Sequence, residues 1–178
     1  MNTTRAIKSK AQKEELLTAA MAWSPKYYIM LQIGFKTGLR IGDILRLRVE
    51  DVRGQYKTIT EQKTLKKRKI DLRGLKRDME NHITLFKLTD KDYLIFSRQN
   101  KTDKPLSRVR AWQVINELSH RHGIESIATH SLRKTHAREY YARCVDIGKV
   151  QRRLNHKYPS TTWRYLVDES DLKSLIKK

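Results

Sequence analysis

Hydrophobic residues recur at helical spacing along most of this chain, and the pattern gives way to alternation in one stretch, between residues 56 and 72. That limits the fold to a mainly helical domain carrying a small sheet. Leu16, Leu17, Ala20 and Trp23 space a helix over 11–23. Ser24-Pro25 then reads as an N-cap followed by proline at the first helical position. The next helix points Tyr28, Leu31, Ile33 and Phe35 inward and stops at Gly38, a left-handed C-cap. Arg40 opens a further helix, with Leu45 and Leu47 anchoring the turn. YKTITEQ and KKRKIDL, within 56–72, form an antiparallel hairpin. Leu75, Met79, Ile83 and Phe86 restore helical spacing over 72–88. YLIF at 93–96 is a short strand and RQNKTDKP at 98–105 a polar loop. Ser107 caps a helix through 122, with Trp112, Ile115 and Leu118 inward and Gly123 closing it. Further helices are expected near 130–143, 147–154, 160–166 and 169–177. The expectation is an α+β, mainly helical domain over 11–178, with a flexible basic arm at 1–10.

Charge narrows the partner. The chain carries 39 Lys and Arg against 19 Asp and Glu, a formal +20, and a basic excess of this size favours a polyanion, with nucleic acid the default. The single cysteine, Cys144, has no intramolecular partner, which fits a reducing interior. No apolar run approaches the roughly 20 residues of a membrane span. The residues at the N-terminus, MNTTRAIKSKAQKEE, include no hydrophobic signal region. The expected location is cytoplasmic, with the nucleoid.

Two motifs in the last third carry chemistry: HSLRKTHA at 130–137 and LNHKYPSTTWRYL at 154–166. His130 and Arg133 are three apart, so a helix presents both on one face. His156 precedes Tyr165 by nine residues. A phosphodiester repels nucleophiles through its non-bridging oxygens, and guanidinium forks counter that charge. A cationic fork, two imidazoles and a tyrosine hydroxyl can therefore attack a phosphodiester without metal, leaving the phosphate on the phenolic oxygen.

With TGLRIGDILRL at 37–47, these motifs resemble the catalytic domain of the tyrosine recombinases, the phage-integrase-like enzymes, over roughly residues 11–170. The resemblance makes Arg40 and Arg133 the two catalytic arginines, with Asp43 orienting Arg40. It makes Lys63, on the hairpin, the general acid that protonates the departing 5′ oxygen. His130 accepts or relays the tyrosine proton or bonds a phosphate oxygen, His156 contacts the other non-bridging oxygen, and Tyr165 is the nucleophile. No ATP, metal or other cofactor is implied. Lys66, Lys67, Arg68, Lys69 and Arg73 continue a basic track expected to contact double-stranded DNA through its phosphates. Asn155 stands where the family usually has glycine, and asparagine tolerates left-handed backbone.

The implied reaction is site-specific recombination or integration of a mobile element, by a homotetramer on DNA, with a monomer one option for the free protein. Nothing before residue 11 supplies the separate N-terminal DNA clamp of many relatives, so a single-domain enzyme and a fragment both stay open. Rival readings are a type IB topoisomerase-like nicking-religating enzyme and a catalytically silent DNA-binding regulator. A basic RNA-binding module lacks the aromatic platforms single-stranded bases require.

Overall fold

A computed structural model describes residues 4–167. Eight helices and two hairpins follow in the order α1 (Lys10–Trp23), α2 (Pro25–Thr37), α3 (Ile41–Ile44), β1 (Tyr56–Thr60), β2 (Lys67–Asp71), α4 (Lys76–Phe86), β3 (Phe96–Arg98), β4 (Lys101–Pro105), α5 (Arg108–Arg121), α6 (Thr129–Cys144), α7 (Ile147–Leu154) and α8 (Pro159–Leu166). Short 3-10 turns at Val49–Val52 and Arg73–Leu75 complete the connections. The mainly helical α+β expectation holds. Among the described residues no helix is long and apolar enough to cross a membrane. The helix expected at 169–177 lies outside them.

α2 is apolar nearly all round, with Ile29, Met30, Leu31, Ile33 and Phe35 buried, and such a helix belongs at the centre. α1, α4 and α6 surround it. Gly34 sets the approach of α6, because a Cβ there would come within 2.7 Å of Leu132 Cδ1. Gly38 ends α2 at φ 64° and its N–H returns to the Gly34 carbonyl at 2.9 Å, the left-handed cap the sequence implied.

A second, small core lies apart from the main one. Ala137, Val150, Leu154 and Leu166 are buried together where α6, α7 and α8 meet, with Tyr140, Tyr141 and Tyr165 packed against them.

Several expectations are corrected. Residues 4–9 are not a free arm: Ala6 and Ile7 are buried, and the Ile7 N–H donates to Thr135 Oγ1 at 2.9 Å. The polar stretch 98–105 forms most of the antiparallel β3–β4 hairpin. Its residues are almost all at the surface, so no apolar alternation marks it. Trp112 does not face inward; the buried stripe of α5 is Ala111, Val114, Ile115 and Leu118, and Trp112 lies off it, 47% exposed.

Candidate active site

β1 and β2 pair in register from Tyr56↔Asp71 to Thr60↔Lys67, leaving residues 61–66 as the connecting loop. Glu61, the first loop residue, is fully buried. Its N–H donates to the Lys66 carbonyl at 3.1 Å, and its own carbonyl accepts from the Leu65 N–H at 2.9 Å, closing the loop. Lys63 stands exposed at the tip.

Arg40 is the N-cap residue of α3, two residues past the Gly38 turn, so a helix junction fixes its backbone. Its ion partner is Glu61: Nη1 lies 2.8 Å from Oε2. The expectation that Asp43 orients Arg40 is therefore corrected. Asp43 is buried and Oδ1 accepts the Gln62 N–H at 3.0 Å, pinning the Lys63 loop to α3.

His130 and Arg133 lie one turn apart at the start of α6. Arg133 is 1% exposed, an extreme for arginine, and two backbone carbonyls take up its terminal nitrogens. Nη1 donates to the Gly38 carbonyl at 2.7 Å and Nη2 to the Leu154 carbonyl at 2.5 Å. Those carbonyls end α2 and α7, and helix C-termini favour a cation. Nη1 also lies 3.7 Å from Glu61 Oε1. The buried Arg133 Nε has no hydrogen-bond partner among the described residues. Burial and Arg40 pull the Arg133 pKa down, while the Tyr165 hydroxyl and Glu61 push it back.

Asn155 follows α7 in left-handed backbone, φ 56°, and the His156 N–H then closes the turn on the Gln151 carbonyl at 3.1 Å. This turn aims the imidazole at α8. His156 Nδ1 lies 3.0 Å from Thr162 Oγ1, and its ring meets Tyr165 edge-on at 4.8 Å between centroids. The Lys134 ammonium sits 5.9 Å from the Tyr165 ring centre. Burial, then the charges of Arg133 and Arg40, push the His156 pKa down to about 4. Reduced hydration, then Arg133, Lys63 and Arg40, lower that of His130. Both imidazoles are neutral at pH 7.

Arg40, Asp43, Lys63, His130 and Arg133 line one pocket of about 330 Å³. Tyr165 joins this group through its ring contact with His156, and its hydroxyl raises the Arg133 pKa. Sequence reasoning missed three further residues here. Glu61 gave no signal beyond its place before Lys63. Arg108 lines the pocket and donates to Gln62 Oε1 at 2.5 Å. Trp112 stands at the same wall.

The basic track divides. Lys66, Lys67, Lys69 and Arg73 are exposed, with Lys69 over the Tyr56 ring and Arg73 paired to Asp71 at 2.8 Å. Arg68 is corrected: it shares the inward face of β2 with Ile70 and is 6% exposed. Its guanidinium donates to the Thr37 carbonyl and stands 3.5 Å from Glu61 Oε1.

Residues 9–171 match the sequence profile of the phage integrase family. The chain is 36% identical over 180 residues to the probable integrase/recombinase YoeC of Bacillus subtilis, an alignment covering 99% of this chain and 97% of that one. The fold is that of XerA recombinase (TM-score 0.76, 21% identity, 98% of this chain and 63% of that one). It is likewise that of XerH site-specific recombinase in a pre-cleavage complex with its difH substrate (TM-score 0.72, 18% identity, 98% of this chain and 54% of that one). The chain thus spans nearly all of one relative and between half and two thirds of the two solved recombinases. A profile match along almost its whole length, together with that relative, establishes that this chain belongs to the phage integrase family, the site-specific tyrosine recombinases.

Proposed function

We propose that this chain breaks and rejoins double-stranded DNA through a 3′-phosphotyrosine at Tyr165. The observation that carries the reading is the convergence of Arg40, Lys63, His130 and Arg133 on one pocket, with the Tyr165 ring set edge-on against His156. The Tyr165 oxygen attacks the phosphorus while its proton passes to neutral His130. The bond to the 5′ oxygen breaks, and Lys63 supplies the proton that oxygen needs to leave. Arg40, Arg133 and the imidazole N–H of His156 bear the charge that grows on the non-bridging oxygens. The new ester conserves the bond's energy, so a 5′-hydroxyl from a second duplex can reverse the step and complete an exchange. Lambda integrase (residues 75–356), a neighbour in fold solved bound to DNA, supports DNA as the partner. Four copies on two duplexes would be the assembly that exchanges strands, and the mass of the DNA complex in sedimentation tests that number.

The decisive assay is covalent trapping. A pool of nicked suicide duplexes with randomised arms is incubated with wild type and with Tyr165→Phe. An SDS-resistant adduct that disappears in the variant establishes the nucleophile, and sequencing the trapped DNA yields the site. An adduct that persists in Tyr165→Phe moves the nucleophile elsewhere. Tight binding with no adduct from either protein overturns the enzymatic reading in favour of a DNA-binding regulator.

A further inference from the structure

The centre of the site is a carboxylate. Glu61 has no solvent exposure, and its two oxygens face three guanidinium groups. Oε2 lies 2.8 Å from Arg40 Nη1; Oε1 lies 3.5 Å from Arg68 Nη1 and 3.7 Å from Arg133 Nη1. The Thr64 hydroxyl donates to Oε2 at 2.9 Å. Three cations against one anion leave an excess of two positive charges, so the cluster remains receptive to a phosphate. Without the carboxylate, three mutually repelling guanidiniums would share one buried space. Burial by itself would raise the Glu61 pKa, but Arg40, Thr64 and Arg133 together hold it below the ordinary carboxylate value.

The same residue is the first of the loop that carries Lys63, and its backbone closes that loop through Lys66 and Leu65. Arg68, on the returning strand, is bound to the end of α2 through the Thr37 carbonyl. Loop, α3 and α6 therefore meet at one side chain. The geometry points to Glu61 as a positioning residue that, from behind the pocket, orients Arg40 and Arg133 and ties the loop of Lys63 to them. Charge clamp and proton donor then form one rigid unit. Glu61 does not touch the phosphate. This role rests on the phosphotyrosine reading for its catalytic consequence, but not for its geometry.

Two variants separate charge from shape. Glu61→Gln keeps the side-chain size and removes the charge; Glu61→Asp keeps the charge and shortens the reach. On a duplex recovered from the trapping pool, Glu61→Gln is expected to bind within about threefold of wild type while single-turnover adduct formation falls about 100-fold, the scale of an ångström-size misplacement, and Glu61→Asp should recover about tenfold of that loss. A 5′-bridging phosphorothiolate, whose sulfur leaves without a proton, should rescue Glu61→Gln only in part, since the arginines are misplaced as well. Thr64→Val, which removes one donor to the carboxylate, should show the same split at smaller size and serves if Glu61→Gln does not fold. Cleavage at the wild-type rate by folded Glu61→Gln overturns the proposal. So does an equal loss in both Glu61 variants, or a fall in binding that matches the fall in cleavage. An independent arm uses ¹⁵N spectra of the arginine side chains in DNA-free protein. The Arg40 and Arg133 signals should shift and broaden in Glu61→Gln, and unchanged signals overturn positioning. If wild type forms no adduct, the phosphotyrosine reading fails and these spectra alone decide the role of Glu61.

Discussion

Arg133 Nη1 donates to the Gly38 carbonyl oxygen at 2.7 Å, joining the first helical turn of α6 to the last carbonyl of the α2 cap. Arg68 Nη1 lies 3.4 Å from the same oxygen. One backbone atom thus receives two buried guanidiniums, and its direction depends on the left-handed φ of Gly38.

Gly38→Ala should therefore harm both stability and chemistry. The positive φ alone costs about 1–2 kcal/mol for an L-residue, and a Cβ would also run into the His136 ring. Denaturant melts should show at least that loss. Adduct formation should fall further than binding, because the carbonyl that holds Arg133 is displaced.

Arg68→Ala should behave as a folding variant. It strips Glu61 of one partner and leaves the Thr37 carbonyl unpaired in the interior, and breaking a buried pair costs about 3–5 kcal/mol. The salt dependence of DNA binding should not change. Lys66→Ala with Lys67→Ala should do the opposite. Both lysines are exposed, so the log–log salt slope should fall by about 2 with stability intact. Fluorescence anisotropy across a salt series, beside thermal melts, checks both.

Lys63→Ala should bind DNA and cleave poorly. Loss of a general acid is worth about 10²–10⁴ in rate. Replacing the bridging 5′ oxygen by sulfur removes the need for a proton and should restore the variant to near wild type. A defect that persists on the sulfur substrate would assign the proton to another group.

Acid should destabilise the domain through its buried histidines. His136, buried and bonded to the Phe35 carbonyl, titrates at about 3, chiefly because of burial. His156 titrates at about 4, from burial and the neighbouring arginines. In the unfolded chain both return to about 6.5, so as pH falls the unfolded state takes up protons first. The stability held by the neutral rings is complete above about pH 6.5 and is lost as pH drops through the folded values, at up to about 1.4 kcal/mol per pH unit for each ring. Denaturant melts from pH 7 to 4.5 should show this slope, and His136→Asn should remove one proton's share. Cleavage should follow a related rule. With the His130 pKa lowered, the acidic limb of the single-turnover profile should lie below pH 6.5.

How far the sequence carried depends on which periodicity was read. The Gly38 stop, the Ser107 cap, the β1–β2 hairpin and the left-handed Asn155 turn are local, and each carried a local mark. Arg68 also had one: it sits two residues before Ile70, and strand parity places the pair on one face. Its basic neighbours concealed the phase. Trp112 was misread for a similar reason, since the stripe of Ala111, Val114, Ile115 and Leu118 excludes it. Glu61 had no such mark. Its role arises from the meeting of residues 40, 61, 68 and 133, brought together by packing of α2 against α6 and by the fold of the hairpin. A carboxylate's partners at that separation are a tertiary property.

The small core under α8 has a consequence for how the molecule opens. Among the described residues Tyr165 rests on a cluster of four buried side chains, whereas Arg40, Glu61 and Arg133 are set around the end of α2, whose body fills the main core. Opening free energies scale with the apolar contact a segment must give up, so α7 and α8 are expected to open as a unit of lower local stability. Their amides should exchange with solvent at rates set by that unit, while those of α2 and the first turns of α6 follow global unfolding. Leu154 belongs to that same unit and its carbonyl holds Arg133 Nη2, so an opening of α7 and α8 would also release one of the two carbonyls that fix this guanidinium.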